Sequence, residues 1–150
     1  MSILETEDIF QMESLNALFE HATEGIIICD QKGTIIRVNP SAEKVFGYQH
    51  LELLGKKIEE LVPNKFSNDH SKLRDGYMKH PHARSMGKNM DLYAKRKDHT
   101  EFPVEISLSY YKQKDEMFVI AFIFKTLNSC CLRSVISIMK AITNISSFCL

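Results

Sequence analysis

The residues that could carry chemistry in this chain are a few histidines, and His70 stands out among them. It falls on one side of a predicted helix with Phe66, Leu73 and Tyr77, at the spacing of successive helical turns. A neutral imidazole on an apolar helical face is a suitable metal ligand. The same spacing also fits a histidine that is simply satisfied in the core or exposed to solvent, and both interpretations stay open.

Three other groups give weaker signals. His80 and His82 flank Pro81, so their rings could converge on a metal, but two ligands without a third make a weak site. The basic run Lys95–Lys97 is followed at once by acidic residues, which is typical of a solvated strand end. Cys29 lies in an apolar run, where a free thiol is a small hydrophobic group. We therefore expect the two histidines on a loop surface, the basic run at a solvated strand end and Cys29 in the apolar core.

The sequence contains serine, histidine and aspartate, but not in a catalytic arrangement. It has no glycine-framed nucleophile, no HExxH metal motif and no phosphate-binding glycine loop. We predict that the chain is not an enzyme.

Composition predicts a single globular domain. The 150 residues carry 19 basic and 19 acidic side chains, and this zero net charge gives no reason to expect nucleic acid or an anionic membrane as a partner. The four cysteines lack CxxC spacing or a disulfide framework, which indicates a reducing, cytoplasmic setting. We expect neither a signal peptide nor a membrane span.

Hydrophobic periodicity predicts the elements that would position His70. An amphipathic helix is expected from about Thr6 to His21, packing either on its own domain or on a copy of itself. Two strands joined at a glycine turn are predicted next, at Gly25–Asp30 and Thr34–Asn39. Three or four helical pieces follow, at Asn39–Gly47, His50–Leu54, Ile58–Leu61 and Phe66–Met78. Three more strands are predicted at Asn89–Arg96, Glu101–Tyr110 and Met117–Phe124.

The middle strand of the last three gives the clearest pattern. Phe102, Val104, Ile106 and Leu108 alternate with polar residues, so one face of this strand is apolar and the other is polar. A three-stranded meander with one apolar face needs other elements to cover that face.

Four segments, in this order and spacing, resemble the PAS sensory domains of bacterial sensor kinases and related signalling proteins. The segments are Leu18–Ile28, Val38–Tyr48, Leu54–Pro63 and, most specifically, Met86-Gly87 followed by Lys95–Leu108. The resemblance implies an α+β fold, with a five-stranded antiparallel sheet and short helices that enclose a pocket on one face. It divides the chain into an N-terminal helical extension (1–14), a PAS domain (15–125) and a C-terminal tail (126–150). His99 stands where such domains usually have glycine; if that position needs a positive φ, histidine has a cost there, though a smaller one than a β-branched residue would have.

By face and family position, the pocket is expected to be lined by Ile28, Val38, Val45, Phe46, Leu61, His70, Leu73, Tyr77, Met90, Leu92 and Ile106. His70 also resembles the iron ligand of haem-binding PAS oxygen sensors, which lies on the long helix a few residues after a proline-containing turn. Those sensors commonly have an arginine early in the third strand that stabilises bound oxygen. The corresponding position in this chain is near Met90, and a methionine there would either ligate iron or fill the core. Haem is thus one cofactor the resemblance implies. Flavin photochemistry is not expected, because the Asn-Cys-Arg-Phe-like motif is missing.

The resemblance implies a non-enzymatic sensory or interaction module in a two-component or transcription-regulating pathway. Such a module would act as a homodimer, or with a signalling partner, in response to a small ligand. The alternatives are a haem-dependent gas or redox sensor and a remnant of a truncated sensor histidine kinase. The last arises because the usual Asp-Ile-Thr-like exit after Phe124 is missing, and the segment Leu132–Ile145, although helical in spacing, leads to no effector before Leu150.

Overall fold

The computed structural model describes residues 3–86 and 92–125 and has the predicted α+β fold, with short helices on one face of an antiparallel sheet. The helices are α1 (Ile3–His21), α2 (Pro40–Phe46) and α3 (Asn64–Lys79), with a 3₁₀ turn at Ile58–Leu61. The strands are β1 (Gly25–Cys29), β2 (Ile35–Val38), β3 (Arg84–Met86), β4 (Tyr93–Lys95), β5 (Glu101–Gln113) and β6 (Glu116–Lys125).

The sheet has five positions across, and two short strands share the last one. The order is β2-β1-β6-β5, and both β3 and β4 pair with β5 on its free edge. The single strand expected from Asn89 to Arg96 is therefore represented by Tyr93–Lys95, and Arg84–Met86 adds a strand that the hydrophobic pattern did not indicate. Residues 89–91 lie outside the described residues. A three-residue strand is too short for an alternating pattern to stand out in the sequence.

The β5–β6 hairpin orients the two faces of the sheet. Lys114 and Asp115 both have positive φ, 47° and 64°, as a two-residue type I′ turn requires. The register that follows pairs Ile106 with Ile123 and Leu108 with Ala121. Directly paired residues point to the same side of a sheet. All of these side chains consequently face the helices.

Glycine and proline mark the boundaries in the first half of the domain. Pro40 begins α2, and Gly47 ends it with a left-handed φ of 75°. The helical turn expected at His50–Leu54 was wrong: this stretch forms hydrogen-bonded turns, because Leu51 has a φ of 63° that interrupts a right-handed helix. His99 has the positive φ expected for a position that usually carries glycine, 66°.

A buried asparagine joins three elements. Asn39 is fully buried, and its Oδ1 accepts hydrogen bonds from the backbone N–H groups of Ile26 (2.8 Å) and Ala42 (2.9 Å). Its Nδ2 donates to the carbonyl oxygens of Phe19 (3.2 Å) and Glu24 (2.9 Å). One side chain thereby caps α2, holds the beginning of β1 and fixes the end of α1.

The α1 helix begins at Ile3, and two described contacts with the domain lie near its C-terminal end. Arg37 of β2 donates to Asn16 Oδ1 at 3.3 Å and lies 4.3 Å from the centre of the Phe19 ring. Met12, Leu15 and Leu18 are 66–70% exposed. Their exposure shows that this part of the predicted apolar stripe does not pack on its own domain.

Some sequence-based expectations fall outside the described residues. They are the pocket residue Met90, the helical pattern at Leu132–Ile145 and the rest of the tail at 126–150. Among the helices that are described, none combines the length and the apolar character needed to cross a membrane.

Replacing Asn39 tests how far the fold depends on its four hydrogen bonds. We expect Asn39→Ala to lower the free energy of unfolding by about 3 kcal/mol, because it removes a helix cap and leaves buried backbone groups unpaired. Ser41→Ala, which removes one hydrogen bond from Ser41 Oγ to the Ala22 carbonyl oxygen, is the control and should cost about 1 kcal/mol. Urea unfolding followed by far-UV circular dichroism measures both, and equal losses in the two variants would contradict this role of Asn39.

Candidate functional site

A cavity of about 370 Å³ lies between the inner face of the sheet and the helices. Its floor is formed by alternate residues of the three central strands, which point to the same side because side chains alternate across a strand. These floor residues are Ile27 and Cys29 of β1, Ile106 and Leu108 of β5, and Val119, Ala121 and Ile123 of β6.

Helix α3 forms the opposite wall. Phe66, His70, Leu73 and Tyr77, the stripe visible in the sequence, all line the cavity. Tyr77 is the single buried residue of this helix, whereas Leu73 is 67% exposed. The wall is therefore only loosely packed against the sheet, which is a property of segments that open easily.

An ionic cluster holds α3 to the neighbouring 3₁₀ turn. Glu59 Oε1 lies 3.2 Å from His70 Nδ1 and forms a close ion pair with Arg74 Nη1. Because an ionised carboxylate only accepts hydrogen bonds, His70 Nδ1 carries the proton in this contact, and Nε2 keeps its lone pair when the ring is neutral. Metal-ligating histidines commonly show this arrangement, with a carboxylate on the second ring nitrogen.

Cys29 is the thiol of the cavity floor. Its burial, reinforced by the carboxylates of Asp30 and Glu59, raises its pKa to about 12. The thiol is therefore protonated at neutral pH and is a poor nucleophile. This environment favours a packing role for Cys29.

The structure places the predicted pocket residues in three groups. Phe46, Leu61, His70, Leu73, Tyr77, Leu92 and Ile106 line the cavity. Ile28 does not, because it follows Ile27 in β1 and points to the opposite face of the sheet. Val38 and Val45 pack against the core beside the cavity, and Met90 lies outside the described residues.

Sequence reasoning missed several cavity residues, above all Arg74, Arg84 and the inward residues of β6. The inward orientation of Arg84 follows only from the register of β3, which pairs it with Leu108. The β6 residues lie in a strand of nearly continuous apolar sequence, which does not reveal which side faces inward.

Within residues 3–86 and 92–125, no three histidine, cysteine, aspartate or glutamate side chains come together as a metal site. His80 and His82 are accordingly not joined there by a third ligand.

Comparison with known proteins gives a consistent result. The family model for the PAS domain matches residues 23–125. Among curated relatives, the sensor protein FixL of Bradyrhizobium diazoefficiens is 24% identical over 109 residues, which cover 73% of this chain and 22% of FixL. The oxygen sensor protein DosP of Escherichia coli is 24% identical over 103 residues, covering 66% of this chain and 12% of DosP. The chain thus spans less than a quarter of the length of these relatives.

A solved structure shows the same fold. The PAS domain of an HTR-like protein from Haloarcula marismortui superposes with a TM-score of 0.66 at 23% identity, covering 81% of this chain and 97% of that one. At this identity the likeness concerns the fold alone.

Proposed function

The chain belongs to the PAS domain family, and from this premise we propose that it senses a small molecule bound between its sheet and α3. The observation that carries the proposal is the cavity of about 370 Å³, a volume within the range of small-molecule sites. The relatives that the chain matches include sensor proteins. A non-catalytic sensory role in a two-component pathway is the function that fits both facts.

The mechanism follows from the loose packing of α3. A ligand that contacts both the sheet and Leu73 or Tyr77 would bind the closed arrangement of this helix more tightly than an open one. It would then shift the population towards the closed state by its difference in affinity for the two. The ion pair between Glu59 and Arg74 ties α3 to the 3₁₀ turn, so that a shift of the helix reaches the first half of the domain.

Filling the cavity tests this function. Ala121 points into the cavity from the central strand β6, and we expect Ala121→Phe to displace any small molecule that co-purifies with the chain. Ser109→Phe starts from a residue of similar size on the opposite face of the sheet, where Ser109 pairs with Ile120, and is the matched control. Native mass spectrometry of the folded proteins should find the bound molecule in the wild type and in Ser109→Phe only. A wild type without any bound molecule, or one that Ala121→Phe retains, would contradict the proposal.

The proposal extends to α1 as the surface on which two copies meet. Met12, Leu15 and Leu18 recur every third residue and are mostly exposed, so a second copy of the same helix would bury them. This favours the interpretation in which the stripe pairs with a copy of itself.

A charge within this stripe tests the dimer. We expect Leu15→Glu to convert the protein to a monomer in sedimentation equilibrium, because two buried carboxylates would repel each other in the dimer. Ala17→Glu places the same charge on the other side of the exposed helix and should leave the association unchanged. A monomeric wild type, or equal effects of both variants, would rule out α1 as the dimer surface.

Haem sensing is a second candidate function, favoured by the contact of 3.2 Å between His70 Nδ1 and Glu59 Oε1. His70 would supply a single axial ligand through Nε2, and Glu59 would orient its ring. One relative, DosP, is an oxygen sensor. The residues present on the α3 side thus fit an iron ligand, and bound haem would supply the gas or redox chemistry.

Absorption spectroscopy tests this candidate. Protein expressed with a haem supply should show a Soret band that His70→Ala abolishes or shifts, because the axial ligand is lost. His21→Ala, at the exposed end of α1, should leave the band unchanged. The haem candidate fails if no Soret band forms, or if the band is the same in His70→Ala.

A further inference from the structure

The acidic side chains that line the cavity already have partners. Asp30 Oδ1 accepts hydrogen bonds from the backbone N–H groups of Lys32 (2.8 Å) and Thr34 (2.7 Å), so it closes the turn between β1 and β2. Asp69 is mostly exposed and pairs with Lys72 at 3.8 Å on the surface of α3. Neither carboxylate forms an ion pair with a basic side chain of the cavity.

The basic side chains of the cavity divide unequally. His70 and Arg74 both contact Glu59, and Arg74 Nη2 also lies 3.3 Å from a carboxylate oxygen of Asp75. Arg84 has no carboxylate partner among the described residues. Within that part of the chain, Arg84 is therefore the one basic side chain of the cavity lining that no carboxylate contacts.

Arg84 faces the cavity because β3 pairs it with Leu108, an inward residue of β5. Its Nε is buried without a hydrogen-bond partner among the described residues. The guanidinium carbon lies 5.0 Å from the centre of the Tyr77 ring, within the range of a cation–π contact. The Tyr77 hydroxyl is itself used, since it donates to the His82 carbonyl oxygen at 2.8 Å.

An unpaired buried N–H of a charged group is costly, and an anion is the partner that satisfies it best. Guanidinium and carboxylate have matching planar geometry and form two parallel hydrogen bonds. Since Arg84 is the one basic side chain of the lining without a carboxylate contact, a ligand with a single negative charge matches it better than a phosphate, which carries nearly two.

The rest of the cavity determines the other end of the ligand. Met86, Ile106, Leu108, Val119 and Ala121 present hydrocarbon or thioether surface next to Arg84 or opposite α3. The volume of about 370 Å³ lies near the lower limit of small-molecule sites. A small ligand with an apolar body fits this space, whereas a large polar one would leave its polar groups without partners.

We propose that the cavity binds a small organic carboxylate with an apolar body, whose carboxylate group pairs with Arg84. This inference rests on the proposed sensory function and names the chemical class of its ligand. Arg84 determines the preference for an anion, and the sheet floor binds the apolar body.

Isothermal titration of the full chain with octanoate and with octan-1-ol tests the proposal, because both probes have eight carbon atoms in an unbranched chain and they differ in charge. We expect Arg84→Met to weaken octanoate binding by about 10- to 100-fold, the usual loss for a charge-assisted hydrogen bond. Binding of octan-1-ol should change by less than about threefold, since the apolar contacts remain. Lys112→Met removes an exposed cation of β5 outside the cavity and should affect neither probe.

Circular dichroism and thermal unfolding show whether each variant is folded. Arg84→Lys gives a second measurement, in which octanoate should bind with intermediate affinity because one charge remains without the planar fork. Equal affinity of the wild type for both probes, or equal weakening of both by Arg84→Met, would overturn the inference and leave the sensory function intact. If neither probe binds and the small molecule that native mass spectrometry finds bound has no carboxylate group, the carboxylate class is wrong and the sensory function stands.

Discussion

The buried amide of Asn39 is the interaction on which the geometry of the domain depends. It connects backbone groups from the end of α1, the beginning of β1 and the first turn of α2. Since β1 supplies Ile27 and Cys29 to the cavity floor, the position of that floor relative to the helices follows from this connection. An amide is suited to the task because it is both a donor and an acceptor at a single buried point.

The two walls of the cavity differ in how firmly they are held. The sheet floor is fixed by the long β5–β6 hairpin and by pairing of β1 with β6. Helix α3 has a single buried residue, Tyr77, and is otherwise held by polar contacts, which include those of Glu59 with His70 and Arg74 and that of Lys95 with Asn64. A rigid floor and a loosely packed wall allow occupancy of the cavity to be converted into a displacement of one helix. Arg84 of β3 lies beside Tyr77 of α3, between the two walls. In the proposed account, its guanidinium determines which ligand binds and therefore which ligand moves the helix.

The sequence predicted the elements with strong periodicity or clear punctuation. The alternation of Phe102 to Leu108 and the stripe from Phe66 to Tyr77 indicated both walls of the cavity, and Asn39-Pro40 indicated the beginning of α2. Features that depend on long-range pairing could not be found in this way. Arg84 faces the cavity only because β3 pairs with β5 in one particular register. Ile28 faces away from the cavity because its neighbours in β1, Ile27 and Cys29, point into it. The positive φ of Leu51 could not be predicted from the residue type, since leucine rarely adopts this conformation.

Hydrogen–deuterium exchange of α3 tests most directly whether occupancy of the cavity acts through this helix. The protein as purified should be compared with protein that has been unfolded, dialysed to remove bound molecules and refolded. We predict slower exchange at Asn64–Lys79 in the protein as purified, with unchanged exchange at the Ile26 and Ala42 amides bound by Asn39. Identical exchange of α3 in the two samples, when mass spectrometry shows that a bound molecule has been removed, would contradict the account.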